Sequence, residues 1–220
     1  MFELYTWSTP NCRKVAIMLE ELGAEYKVIP IDITKDQQHT KEFLALNGNN
    51  KVPVIVDLEN KIQLAESGAI LLYLANMSGR FMPTDTAGYW TAIQWLMWQM
   101  SGLGPAFGQV HNFVHFNPGK APFAEERAVK EALRIYGVLE NQLARHEYIA
   151  GDYSIADMAV WPWVSRFEWQ KIDLSKFPNT AAWYLKISSR PAVVRGYDVP
   201  HKVSEIPLPS VSLSSPSLLG

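Results

Sequence analysis

Hydrophobic and polar positions change their rhythm near residue 80. Before it, short apolar runs alternate with helical spacing. Residues 2–5 predict a strand, and Val15, Met18, Leu19 and Leu22 recur at helical intervals through 12–22. Gly23 ends that helix as its C′ residue. Tyr26-Lys27-Val28-Ile29 with Ile31 predicts a second strand, so the opening is β-α-β and parallel. A short helix over 40–46 leads into Asn47-Gly48-Asn49-Asn50, residues that tolerate positive φ. Val54 to Val56 is a β-branched strand with Pro53 at its entrance, where a missing N–H is tolerated. A second run, 62–64, follows the turn Glu59-Asn60-Lys61 and completes a hairpin. A helix opening on Glu66-Ser67-Gly68-Ala69-Ile70 closes the series.

After residue 80 the pattern is helical only. Gly79, Pro83, Thr84, Asp85, Thr86 and Gly88 mark a linker over 81–88. Residues 89–100 are apolar nearly all round, which predicts a helix buried on several sides; Gly102, Gly104 and Pro105 interrupt it. A second helix begins near Pro122, with the stripe Val129, Leu133, Tyr136, Leu139, Leu143. Ser154-Ile155-Ala156-Asp157 starts a third as a capping-box variant, and Pro162 predicts a kink within it. Phe177-Pro178 and Arg190-Pro191 bracket a further helix through Trp183. From residue 200 prolines mix with serines, so no helix or strand is expected. The expected organisation is an α/β domain over 1–80, thioredoxin-like in its element order, the linker 81–88, an all-α domain over 89–200 and a Pro/Ser-rich tail over 201–220.

Composition narrows the function classes. With 20 basic and 22 acidic residues, the net charge of −2 points to neither nucleic acid nor an anionic membrane. The single Cys12 excludes a disulfide framework and a cysteine-rich metal site. No leader pattern opens the chain and no apolar run approaches a membrane span, so a cytoplasmic protein is expected.

The candidate chemistry lies in 50–70. A proline beside a strand leaves the preceding backbone free to pair with an extended peptide. The N-terminus of the following helix gathers free N–H groups and a positive dipole end, a receptor for a carboxylate. Together they propose a site for a small acidic peptide.

Val52-Pro53, Glu66-Ser67-Gly68-Ala69-Ile70 and Ser154-Ile155-Ala156-Asp157, in this order on these two textures, resemble the cytosolic glutathione transferase superfamily over residues 1 to about 200. Thr9-Pro10-Asn11-Cys12, the run 94–105, Gly108-Gln109, Glu126-Arg127 and Trp161-Pro162-Trp163 most resemble its nu class, associated with glutathione-dependent disulfide reduction. The resemblance implies a homodimer that takes glutathione, reduced or as the disulfide, as co-substrate and needs no metal. It implies that Thr9 and Asn11 face the glutathione sulfur, that Pro53 is cis, and that Val52 pairs by its backbone with the cysteinyl part. It further implies that Glu66 and Ser67 receive the γ-glutamyl end, and that Gln38, Lys51 and Arg127 complete the site. Conjugation of glutathione to electrophiles, or glutathione binding without turnover, remains open beside disulfide reduction.

Each of these residues has a plainer reading. Thr9 is also a fitting N-cap and Asn11 a common turn residue. Lys51 and Arg127 could be solvated charges. Cys12 closes a Thr-x-x-Cys tetrad with no first cysteine to cycle with, so it is expected to pack inward. His111 and His115 lie four apart without an evident third ligand, which predicts a packed or dimer-facing pair, not a metal. Trp90, Trp95, Trp98, Trp161 and Trp163 are expected in the core.

Overall fold

The structure, a computed structural model, describes residues 1–209. Strands β1 (Phe2–Thr6), β2 (Tyr26–Pro30), β3 (Val54–Asp57) and β4 (Ile62–Ala65) form one sheet in the order β2-β1-β3-β4. β1 and β2 are parallel, while β3 runs antiparallel to both β1 and β4. Helices α1 (Pro10–Leu22), α2 (Lys41–Leu46) and α3 (Ser67–Ser78) complete the first domain in the expected order. α1 starts two residues before the apolar stripe suggests, because Pro10 fits the first turn, where no N–H is needed. Gly23, at φ 63, stops it.

The helical domain departs from expectation at its first helix. α4 (Thr86–Trp98) does not end at the glycines and Pro105. It continues through a wider, π-type turn at Gln99–Leu103 into α5 (Gly104–Val110), and through a second such turn at His111–Phe116. The wider turn changes the hydrogen-bond register just ahead of Pro105, where the absent N–H is least costly. Nor is α4 buried on several sides within the chain: Ala92 and Leu96 are its buried residues, and Trp90 is 62% exposed. The reason is that α4 packs along one side, chiefly against α7 (Ile155–Val164), while among the described residues Trp90 and Met97 on its other side stay exposed. Of the tryptophans expected in the core, Trp161 and Trp163 are buried, while Trp95 and Trp98 are only half-buried.

α6 (Pro122–Leu143) and α8 (Pro178–Ser188) fall where the prolines and stripes place them. Leu133, counted in the α6 stripe, is exposed. α9 (Pro191–Tyr197) was not foreseen; at seven residues it is too short for a periodic signal. Residues 201–209 hold no helix or strand, and 210–220 lie outside the described residues.

α1 joins the two domains, packing on α3 on one side and on α7 and α9 on the other. Gly196 allows this, since a Cβ there would lie 2.7 Å from the Ile17 backbone. α7 is anchored by the predicted capping box: Ser154 and Asp157 exchange bonds at its N-terminus. Asp157 also accepts from Ile149 N–H (3.0 Å) and Trp183 Nε1–H (2.8 Å). Among the described residues no helix is long and apolar enough to cross a membrane.

Candidate functional site

The N-termini of α1 and α3 and the loop before β3 open onto one cleft, whose far wall is the π-type turn 99–103, α5 and α7. Three hollows of about 130, 220 and 640 Å³ adjoin there, all bordered by Asn11 and Lys51. Thr9, Gln38 and Val52 line one of them, and Pro53, Glu66 and Ser67 another. Lys14, Gln99 and Trp163 line the largest. Eight of the nine predicted residues therefore meet in one place. The ninth, Arg127, is exposed on α6 and lines a separate cavity of about 450 Å³ with Phe113 and Phe123; Gln109 borders both spaces.

Thr9 caps α1: its Oγ1 accepts from Cys12 N–H at 3.3 Å. The plainer reading of this residue is thus realised, and the hydroxyl proton stays available as a donor, since one hydroxyl can do both. Asn11 lies next to it with its Oδ1 accepting from Trp163 Nε1–H at 3.0 Å. Cys12 turns the other way. It is fully buried, its Sγ receives Trp7 N–H at 3.4 Å, and burial raises its thiol pKa above the ordinary value. A buried, protonated thiol is a poor nucleophile.

The Val52-Pro53 bond is cis, and among the described residues no hydrogen bond engages the Val52 N–H or C=O. An extended peptide could pair there as an added strand. Glu66, at φ 67 and ψ 112, occupies backbone space that few residues other than glycine adopt, and its carboxylate is exposed. Strain of this kind, held in place by its surroundings, gathers at functional sites. Ser67 is buried at the start of α3, its Oγ accepting from Lys14 Nζ at 3.2 Å.

Lys14, Gln99 and Trp163 are site residues that sequence reasoning missed. Lys14 is fully buried; its Nζ meets Ser67 Oγ, Gln99 Oε1 at 2.5 Å and Met100 Sδ at 3.5 Å, all neutral. Burial pushes its ammonium pKa down to about 7, only partly offset by the negative Glu66. Because the ammonium takes Gln99 Oε1, the buried Gln99 Nε2 is left as a donor without a partner. The signal was present: Lys14 stands three residues from Asn11, on the same face of α1, and Gln99 is a polar residue inside an apolar run.

His111 is buried against Trp163, their rings 5.6 Å apart and 19° from parallel, while His115 is exposed and stacks on Trp169. Among the described residues, no three His, Cys, Asp or Glu side chains converge as metal ligands.

The chain matches the family models "Glutathione S-transferase, N-terminal domain" over residues 1–76 and "Glutathione S-transferase, C-terminal domain" over 101–191. It is 43% identical to the disulfide-bond oxidoreductase YfcG of Escherichia coli, spanning 87% of this chain and 92% of that one. A glutathione transferase of Pseudomonas putida, solved with one glutathione disulfide per subunit, superposes with a TM-score of 0.86 at 39% identity, covering 90% of this chain and 91% of the other. One from Burkholderia graminis, with two glutathione molecules per subunit, gives 0.85 at 43%, covering 90% and 88%.

Proposed function

Because the chain belongs to the glutathione S-transferase family, we propose that it is a nu-class-type, glutathione-dependent disulfide reductase whose attacking sulfur is brought by glutathione itself. The observation that carries this reading is the state of the only cysteine. Cys12 is buried, faces away from the cleft and has a raised pKa, whereas the N-terminus of α1 presents hydrogen-bond donors to the cleft. The protein would supply no sulfur of its own.

In this reading the Thr9 hydroxyl, the Asn11 NH₂ and the Asn11 N–H, an unpaired first-turn amide, donate to the glutathione sulfur and favour its thiolate. The thiolate attacks a disulfide, forming a mixed disulfide and releasing one substrate thiolate, which takes a proton from solvent. A second glutathione thiolate attacks the glutathionyl sulfur of that mixed disulfide and releases the other substrate thiol. Two glutathiones are oxidised to one glutathione disulfide as one substrate disulfide is reduced to two thiols. The enzyme contributes position and charge stabilisation. Val52 holds the cysteinyl backbone, and Glu66 and Ser67 hold the amino and carboxylate groups of the γ-glutamyl end. Lys14 stands behind Ser67 and carries its proton once a carboxylate is bound beside it. Gln38 and Lys51 border the remaining hollow, and Arg127 waits in the neighbouring cavity, beyond Gln109.

Conjugation of glutathione to an electrophile is a second reading, favoured by the apolar walls of that neighbouring cavity, Phe113, Phe123 and Ala128. The exposed apolar face of α4, with Trp90 and Met97, supports assembly as a homodimer. Light scattering that returns a concentration-independent mass near 24.9 kDa would remove the dimer.

The test of the mechanism compares Cys12→Ala, Thr9→Ala and Asn11→Ala for reduction of hydroxyethyl disulfide at saturating glutathione. Cys12→Ala should keep most of its activity. The other two should each lose about tenfold, less than the loss from deleting an oxyanion-hole donor because a thiolate is the weaker acceptor. Activity abolished in Cys12→Ala and retained in the other two would assign the chemistry to the Cys12 sulfur and overturn the proposal. Turnover of an aryl halide with no disulfide reduction would favour the second reading.

A further inference from the structure

We propose that Trp163 is a positioning residue that fixes the Asn11 amide with its NH₂, not its carbonyl, toward the sulfur in the cleft; this rests on reading the cleft as a thiolate site. An asparagine amide has two near-equivalent orientations about its last torsion, and only one presents a donor to a given point. A thiolate is stabilised by the NH₂ and repelled by the carbonyl, so the choice between them decides whether Asn11 helps or hinders.

Nothing in the backbone of α1 makes that choice; the indole does. Trp163 Nε1 lies 3.0 Å from Asn11 Oδ1, and an indole nitrogen can only donate. With the amide reversed, N–H would face N–H. The carbonyl is therefore held against α7, and among the described residues no protein acceptor takes the Asn11 NH₂. Asn11 and Trp163 both line the largest hollow of the cleft, where a bound sulfur would find that donor.

The indole is itself held in place. It is buried and stacks on His111, and α5 offers it flat glycine surface: a Cβ on Gly104 or Gly108 would stand 3.7 or 3.9 Å from the ring. Its backbone carbonyl accepts from Gln170 Nε2 at 2.9 Å. Gln170 is in turn oriented by Tyr136, whose O–H donates to Oε1 at 2.6 Å. That leaves the Gln170 NH₂ facing His111 Nε2 at 3.2 Å as well, which suits a neutral imidazole accepting there. Burial holds His111 in that form by pushing its pKa down to about 4. A directional chain runs from Tyr136 on α6 through Gln170 and Trp163 to Asn11 on α1, across the boundary between the domains.

The experiment reads the pKa of bound glutathione, from thiolate ultraviolet absorbance against pH, together with the rate of hydroxyethyl-disulfide reduction. It uses the full chain as wild type, Trp163→Phe, Asn11→Ala and the double variant. Trp163→Phe keeps an aromatic ring and removes the N–H. It should raise the thiol pKa and slow reduction about three- to tenfold, with the double variant no worse than Asn11→Ala alone, since both changes remove the same donor. A Trp163→Phe protein with wild-type pKa and rate, or losses that multiply in the double variant, would overturn the proposal. Should Trp163→Phe fail to fold, site-specific replacement of Trp163 by benzothienylalanine keeps the ring shape without the N–H, and the same two outcomes decide. An unchanged thiol pKa in Asn11→Ala would instead sink the thiolate reading itself, whereas a shift in Asn11→Ala without one at Trp163 sinks only this inference.

Discussion

Replacing Lys14 by Met removes an ammonium group that is fully buried and touches only neutral partners, Ser67, Gln99 and Met100. In the unfolded chain a lysine titrates near 10.4, whereas burial pushes Lys14 in the folded protein down to about 7. Between those values the unfolded chain holds a proton that the folded protein has released. Unfolding then takes up close to one proton, and stability rises with pH by up to about 1.4 kcal/mol per unit. Below pH 7 both states are protonated, so the desolvation cost is present in full and pH-independent; above about 10.4 neither state carries the proton. From pH 7.5 to 9.5 the wild type should therefore gain about 2.5 kcal/mol relative to Lys14→Met, most other titrations being common to both proteins. Urea unfolding of the two ligand-free proteins at both pH values and at equal protomer concentration measures this difference. Parallel pH dependences would mean that Lys14 keeps an ordinary pKa and that its burial is not the electrostatic cost argued above. Saturating S-methylglutathione should shrink the increment, because a bound carboxylate beside Ser67 would raise the pKa of Lys14 toward its ordinary value.

Two further substitutions separate the peptide site from the scaffold. Glu66→Ala should weaken glutathione binding by about 1.5–3 kcal/mol, the scale of a hydrogen bond to a charged group, while leaving the thermal midpoint nearly unchanged, because the Glu66 side chain caps nothing. Calorimetric titration with unchanged affinity would place glutathione elsewhere. Asp157→Ala strips the buried donors Ile149 N–H, Ser154 N–H and Trp183 Nε1–H of their acceptor, and should cost roughly 3–5 kcal/mol of stability in urea unfolding. A loss under about 1 kcal/mol would show that water replaces the carboxylate at that position.

How far the sequence reached depends on the range of the forces involved. The parallel β-α-β opening, the hairpin after Pro53, the capping box at Ser154 and the Gly23 stop all follow from side chains acting on neighbours a few residues away, and all were legible. The continuation of α4 through Gly102 and Pro105 was not. Local propensity opposes it, and the π-type turn, packed against α7, absorbs the misfit.

At the site the division runs between residue type and direction. The residues at 9, 11, 52, 53, 66 and 67, through their resemblance to a known family, predict a peptide-binding cleft, and the structure brings them together around adjoining hollows because turns and helix starts position their own side chains. The sequence by itself also predicted that its one cysteine packs inward, and the structure buries it there, with its Sγ on the Trp7 N–H. Lys14 beside Asn11 on α1 and the polar Gln99 inside its apolar run were local signs, whereas Trp163 reads locally as one more apolar residue of its helix. Their roles exist only because α1, the π-type turn and α7 meet across the domain boundary. A lone ammonium loses its water, and the Asn11 carbonyl meets the Trp163 N–H, when distant segments close around them; that is long-range packing, and the local signs at Lys14 and Gln99 do not specify it.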